Sequence, residues 1–182
     1  MKKSFISIIA VAVIAVLAFF TYNTVFASKS APQVTFNSID GKTFKTDDLK
    51  GRVTMVKFWA TDCVTCMKQM PDTVAHHEKY KAQGFETVAV AMKHDSIDAI
   101  QRLIDERGYQ FTIVHDVDGA IAKAFGEVRF TPVAFLFDRK GQLVRSYIGD
   151  YDTNLFIEDL ERTLAQSEWP LSCCILIYNY HF

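Results

Sequence analysis

Apolar residues in this chain fall into three patterns. From Ser4 through Phe20 they form an almost unbroken run of Ile, Val, Ala, Leu and Phe, and no charge occurs between Lys3 and Lys29, a stretch of 25 residues. From Val34 to Ala165 short β-branched and aromatic runs alternate with segments of helical spacing. After Ala165 the chain is aromatic-rich and nearly uncharged, from Ser167-Glu168-Trp169-Pro170 through Cys173-Cys174 to Phe182.

The middle region predicts a definite order of elements. Val34 to Phe36 reads as a strand, and Ile39 to Lys42 as a turn into a second strand, Thr43 to Lys45. Thr46 to Leu49 is a helical turn stopped by Gly51. Val53 to Trp59 has the composition of a buried strand. A helix is expected from about Cys63 to Gln83, ended by Gly84, and Phe85 to Met92 is a further buried strand. Asp95-Ser96 offers a helix cap, followed by Ile97, Ile100, Leu103 and Ile104 on one face and a stop at Gly108. Phe111 to Val114 is a short strand, and Asp118 to Phe125 a short helix ended by Gly126. Val133 to Phe137 and Gln142 to Tyr147 form a hairpin across Asp138-Arg139-Lys140-Gly141. Asp152 or Thr153 caps a last helix reaching about Ala165. This order predicts an α/β fold with a mixed central sheet and helices on both faces.

The apolar run at the start follows two lysines, which is the pattern of an export signal. Residues 4–27 are also long enough to cross a bilayer core of about 30 Å as a helix. Two readings stay open: an uncleaved anchor, or a signal cut after Ala27, where Val25-Phe26-Ala27 suits a signal peptidase. No cysteine stands there to carry a lipid. The two lysines place the N-terminus in the cytoplasm and the rest beyond the membrane. The expected organisation is a leader over 1–27, one domain over 28–166, and a tail of unknown role over 167–182.

Charge narrows the partners. The chain has 20 Lys and Arg against 21 Asp and Glu, and removing the two leader lysines leaves a net charge of −3. Such a balance does not suit a phosphate-seeking surface, so nucleic acid is not an expected partner. Four cysteines in 182 residues are too few for a disulfide-built scaffold.

The candidate chemistry lies in Cys63-Val64-Thr65-Cys66, at a strand-to-helix junction. Two thiols at this spacing can close a small disulfide ring, and free N–H groups with the helix dipole favour a thiolate on Cys63. Cys63 is then the attacking thiol and Cys66 the one that resolves a mixed disulfide. Half a zinc site, a purely structural bridge and two unrelated cysteines are the competing readings, although no second Cys pair completes a zinc site.

With its surroundings the motif resembles that of the thioredoxin superfamily. The matching residues are Phe58-Trp59-Ala60-Thr61, Cys63 and Cys66, with Pro71 eight residues after Cys63. Thr131-Pro132, followed by Val133 to Gly141, is similar to the family's cis-proline loop and the hairpin after it. The added helix and strand between Phe85 and Pro132, with the leader, resemble the extracytoplasmic branch that includes TlpA and ResA. That resemblance, over Val34 to Ala165, implies a thioredoxin-like fold and a thiol-disulfide oxidoreductase that needs no cofactor. It also implies a Cys63–Cys66 disulfide, a cis Pro132, protein disulfide substrates such as apocytochrome c or copper-site cysteines, and a membrane thiol-disulfide electron donor.

Three positions depart from the branch. Asp62 stands where Trp is common, and its carboxylate should oppose thiolate formation on Cys63; the plainer reading is an N-cap for the following helix. Gln69 replaces a frequent Glu and removes one candidate base. Lys57 occupies a strand position beneath the thiols where the superfamily places an acid and this branch often Asn. Its amine either stabilises a thiolate or reaches water or an acid while its stem packs.

Other candidates remain. His76-His77, His94 and His115 allow a copper site with Cys63 and Cys66 as the alternative function. A peroxidase of the same fold also fits Thr61, two residues before Cys63, although Cys66 suits exchange better. Phe130 and Thr131 either face a substrate peptide or, for Phe130, fill core. Cys173-Cys174 could form a second redox pair, but a ring between adjacent cysteines is strained.

Overall fold

Seven consecutive buried residues, Val53–Trp59, make strand β3 the centre of the molecule. A strand buried on both faces must be covered on both sides, which is why the run shows no polar alternation. In the computed structural model residues 29–166 are described. The expected leader over 1–27 and the tail over 167–182 lie outside the described residues. Among the described residues no helix is long and apolar enough to cross a membrane.

A small hairpin, β1 (Thr35–Asn37) and β2 (Thr43–Lys45), precedes a 3-10 turn at Thr46–Leu49 and then β3. Helix α1 (Val64–Tyr80) follows, then β4 (Phe85–Ala91), α2 (Ile97–Arg107), β5 (Thr112–His115), α3 (Ala120–Ala124), β6 (Val133–Phe137), β7 (Leu143–Ile148) and α4 (Thr153–Ala165). The main sheet has the order β5-β4-β3-β6-β7. β3 pairs parallel with β4, and β4 with β5, whereas β6 runs antiparallel to both β3 and β7. The sheet is therefore mixed.

Side-chain alternation divides the core. Val56 and Phe58 pack with Phe36, Ala122 and Phe125, so the hairpin and α3 cover one face. On the opposite face Val53 and Met55 join Tyr80, Phe156 and Leu160, while Trp59 joins Cys66, Met70, Ala89 and Ile100. Helices α1, α2 and α4 thus cover that second face, the side on which the cysteines lie.

Some boundaries differ from the expected ones. α1 ends at Tyr80, and a 3-10 turn, Lys81–Gln83, leads to Gly84, whose φ of 88° accommodates the left-handed stop. α3 is shorter than expected, because Gly119 takes a left-handed conformation and the helix starts only at Ala120. Ile97, expected on the packed face of α2, is 48% exposed because it opens the helix, whereas Ile100 one turn on is fully buried. Asp152 is the cap of α4, its carboxylate accepting the Asn154 N–H at 2.8 Å.

Candidate redox site

The chain leaves β3 at Trp59, whose indole is fully buried beside Cys66, Met70 and Ala89. Ala60 to Cys63 then make a turn, in which the Cys63 N–H donates to the Ala60 carbonyl at 3.3 Å. Thr61 is held by Asp95 from the loop before α2: its N–H donates at 2.7 Å and its hydroxyl at 2.6 Å. The local sequence reads Asp95 as a helix cap. Ser96 is the residue at the cap position, without a side-chain bond, and the Asp95 carboxylate reaches across to Thr61. Nothing local signals that reach, because the two residues are 34 positions apart.

Cys63, and not Asp62, caps α1: its Sγ accepts the Cys66 N–H at 3.1 Å. This corrects the cap reading of Asp62. The Asp62 side chain is 76% exposed, and Oδ1 lies 3.6 Å from His94 Nε2. Cys63 and Cys66 are joined by a disulfide of 2.10 Å, with their Cα atoms 5.2 Å apart. Cys66 is wholly buried and Cys63 only partly so, which leaves Cys63 as the sulfur a visiting molecule can reach. A thiolate formed there would keep the Cys66 N–H and the helix N-terminus as stabilising partners.

The Thr131–Pro132 peptide is cis. A chain of hydrogen bonds ties this loop to α1. The Gly149 N–H donates to the Pro132 carbonyl at 2.9 Å, and Gln69 Nε2 donates to the Gly149 carbonyl at 3.0 Å. Lys68 pairs with Asp150 at 3.0 Å on the exposed side of the same contact. Gln69 is thus a strut between the cysteine helix and the proline loop, and neither Gly149 nor Thr73 was evident as part of the site from the sequence. Phe130, just before the loop, is 59% exposed, so of its two readings the one as core does not hold.

Lys57 lies beneath this arrangement, fully buried. Its register neighbours are Ala89 on β4 and Ala134 on β6, whose small side chains leave room for the stem. Nζ donates to Gln69 Oε1 at 3.2 Å and to Thr73 Oγ1 at 2.9 Å, and stands 5.8 Å from the Tyr151 ring centre. Where the plainer reading expected bulk solvent or an acid, the amine is bonded to two neutral oxygens and has no exposed surface. Burial pushes its pKa down to about 8, against a smaller upward pull from Asp72.

The histidines do not gather at the sulfurs. His76 packs on Phe156, and His77 between Phe85 and Phe111. His94 faces Asp62, and His115 ends β5. Among the described residues no group of three or more His, Cys, Asp or Glu side chains is arranged to hold a metal ion.

A mixed five-stranded sheet, with a Cys-x-x-Cys disulfide at the head of the helix after its central strand and a cis-proline loop tied to that helix, defines a thioredoxin-like oxidoreductase. The chain belongs to the redoxin family, whose profile matches residues 26–164. It is 31% identical to the thiol-disulfide oxidoreductase ResA of Bacillus subtilis over 167 residues, covering 88% of this chain and 92% of that one. A ResA from Halalkalibacterium halodurans is 27% identical over 168 residues, with the same coverage of 88% and 92%. Among solved structures, a putative thioredoxin from Neisseria meningitidis superimposes with a TM-score of 0.72 at 28% identity, covering 85% of this chain and 99% of that one. A putative thiol:disulfide interchange protein DsbE from Chlorobium tepidum gives a TM-score of 0.69 at 27% identity, covering 76% and 97%.

Proposed function

We propose that this oxidoreductase reduces disulfides of proteins outside the cytoplasm through Cys63 and Cys66. The Cys63 thiolate attacks one sulfur of a substrate disulfide; that bond breaks, and the first substrate sulfur leaves as a thiolate. Cys66, losing its proton, attacks Cys63 Sγ in the mixed disulfide and expels the second substrate sulfur. Two electrons pass to the substrate, and the Cys63–Cys66 bridge remains. A dithiol donor at the membrane reduces it again.

The observation that carries this reading is the asymmetry of the pair. One sulfur is reachable and caps a helix, and the other is sealed in the core beside it. In supporting roles, Trp59 walls the buried sulfur, Gln69 braces Thr131-Pro132 through Gly149, and Asp62 and Lys57 set the charge around the pair. Residues 4–27 serve as anchor or export signal, and the substrate class follows the ResA-like branch: cysteines of apocytochrome c or of copper-site proteins. A Cys66→Ser variant of the full chain tests the scheme, because it stalls at the mixed disulfide. Substrates bound covalently through Cys63 and released by dithiothreitol support the reading. Capture that persists when Cys63 is also replaced overturns it.

A further inference from the structure

A lysine with no exposed surface and no acid partner is costly to keep charged. Lys57 is held in that state by Gln69 and Thr73. Both belong to the buried face of α1 that also carries Cys66. Gln69 follows Cys66 by three residues and Thr73 by seven, about 4.5 and about 10 Å along a helix axis. The amine therefore sits within about two helical turns of the redox pair, with no surface exposed to bulk solvent.

We propose that the buried Lys57 amine stabilises the thiolate form of the reduced Cys63–Cys66 pair, so that this protein is a more reactive thiol and a weaker reductant than it would be with a neutral side chain there. The inference rests on reading the two cysteines as the exchanging pair. When a dithiol donor reduces the bridge, two electrons enter, the S–S bond breaks, and both sulfurs would ordinarily take a proton. Beside a charged Lys57 one sulfur stays anionic, and one proton fewer is taken up near neutral pH. The pKa of about 8 keeps the amine mostly charged at pH 7 while the bridge is closed.

The other titratable groups around Lys57 are few. α1 contributes Asp72, which pulls its proton affinity up, and His76, which feels the amine as a like charge. The segment after β7 presents the Tyr151 ring. The flanking strands offer only Ala89 and Ala134.

Reduced full-length protein, Lys57→Met, Lys57→Gln and Gln69→Glu are compared by two measurements. The first is the pH profile of Cys63 alkylation by iodoacetamide, and the second is the dithiol-to-disulfide ratio in glutathione buffers at pH 7. Opposite unit charges about 10 Å apart at an effective dielectric of about 20 interact by roughly one tenfold step or slightly more. Lys57→Met is therefore expected to raise the alkylation midpoint by about one pH unit and to lower the dithiol-to-disulfide ratio by about twofold to tenfold, the more so the further the native midpoint lies below pH 7. Gln69→Glu, which sets a carboxylate against the amine, shifts both in the same direction. Lys57→Gln, which drops the charge but keeps a polar group for Gln69 and Thr73, keeps the test decisive should Lys57→Met not fold. Unchanged midpoints and ratios in folded variants, whatever happens to their melting temperatures, would reduce Lys57 to a structural residue. A native protein with no reversible bridge in any glutathione buffer would sink the exchange reading itself.

Discussion

The carboxylate of Asp95 accepts both the N–H and the hydroxyl of Thr61, at 2.7 and 2.6 Å, and so fastens the turn that delivers Cys63 to the loop opening α2. Hydrogen bonds to a charged acceptor contribute about 1.5–3 kcal/mol each, and less where water reaches them. Asp95→Ala is expected to destabilise the protein by about 2 kcal/mol and to slow reduction of a peptide disulfide. Chemical denaturation and a stopped-flow exchange assay check it; a variant as stable and as fast as the native protein contradicts the clamp.

Asp159 is a buried carboxylate ringed by Tyr147 at 2.8 Å, Arg145 at 2.5 Å, and Arg162. Burial by itself would raise its pKa, but the bonds from Tyr147 and Arg145, the Arg145 charge and the Arg162 bond together hold it below the ordinary 3.8. A depressed carboxyl adds stability that is complete above its unfolded pKa and is lost as pH falls through the folded one. Asp159→Ala should cost about 2 kcal/mol at pH 7, since it leaves the buried Tyr147 hydroxyl without its acceptor, while Arg145 and Arg162 stay half-exposed to solvent. The gap between the variant and the native protein should shrink below about pH 4. Urea melts at pH 7 and pH 3 measure both; a gap independent of pH contradicts the linkage.

Asp62 places a negative charge next to Cys63, with His94 3.6 Å away as its exposed counterpart. Exposed charge pairs contribute up to about 1 kcal/mol, or roughly fivefold in a rate. Asp62→Trp should therefore raise the alkylation rate of Cys63 at neutral pH a few-fold. Equal rates for the two proteins would refute it.

His77 is buried between Phe85 and Phe111, and its Nδ1 has no partner among the described residues. Burial is the main cause of its lowered pKa, ahead of the opposing pull of Glu86 and Glu78 and a small push from Lys81. The folded state therefore resists the proton that the unfolded chain accepts below about 6.5, and stability falls as pH drops through that range. His77→Leu should keep more of its pH 8 stability at pH 5 than the native protein does. Thermal melts across that interval decide it.

Much of the scaffold was legible locally. The limits of β3 and β6, of α2 and of the cap on α4 coincide with the expected ones, because β-branched runs, helical spacing and a preceding Asp are signals within a few residues. The same local logic misplaced Asp62, and of the Asp95-Ser96 pair it showed the cap position but not the use of the Asp95 side chain. Cys63 takes the cap position at α1, Ser96 takes it at α2, and Thr61, reached only through the fold, binds the Asp95 carboxylate. Phe130 was equally ambiguous: an aromatic beside a strand is buried or exposed according to which element covers it.

What the chain determines by itself is the order of its elements and the placing of two cysteines at the mouth of a helix, since propensity, spacing and capping act between near neighbours. Only the packed molecule decided what surrounds those sulfurs. Lys57, Gln69, Gly149 and Pro132 come from four separate segments, and their bonds exist because β3, α1 and the loops beside β6 and β7 are pressed together by the burial of apolar surface, a force that carries no record in the sequence of which polar atoms it will make meet.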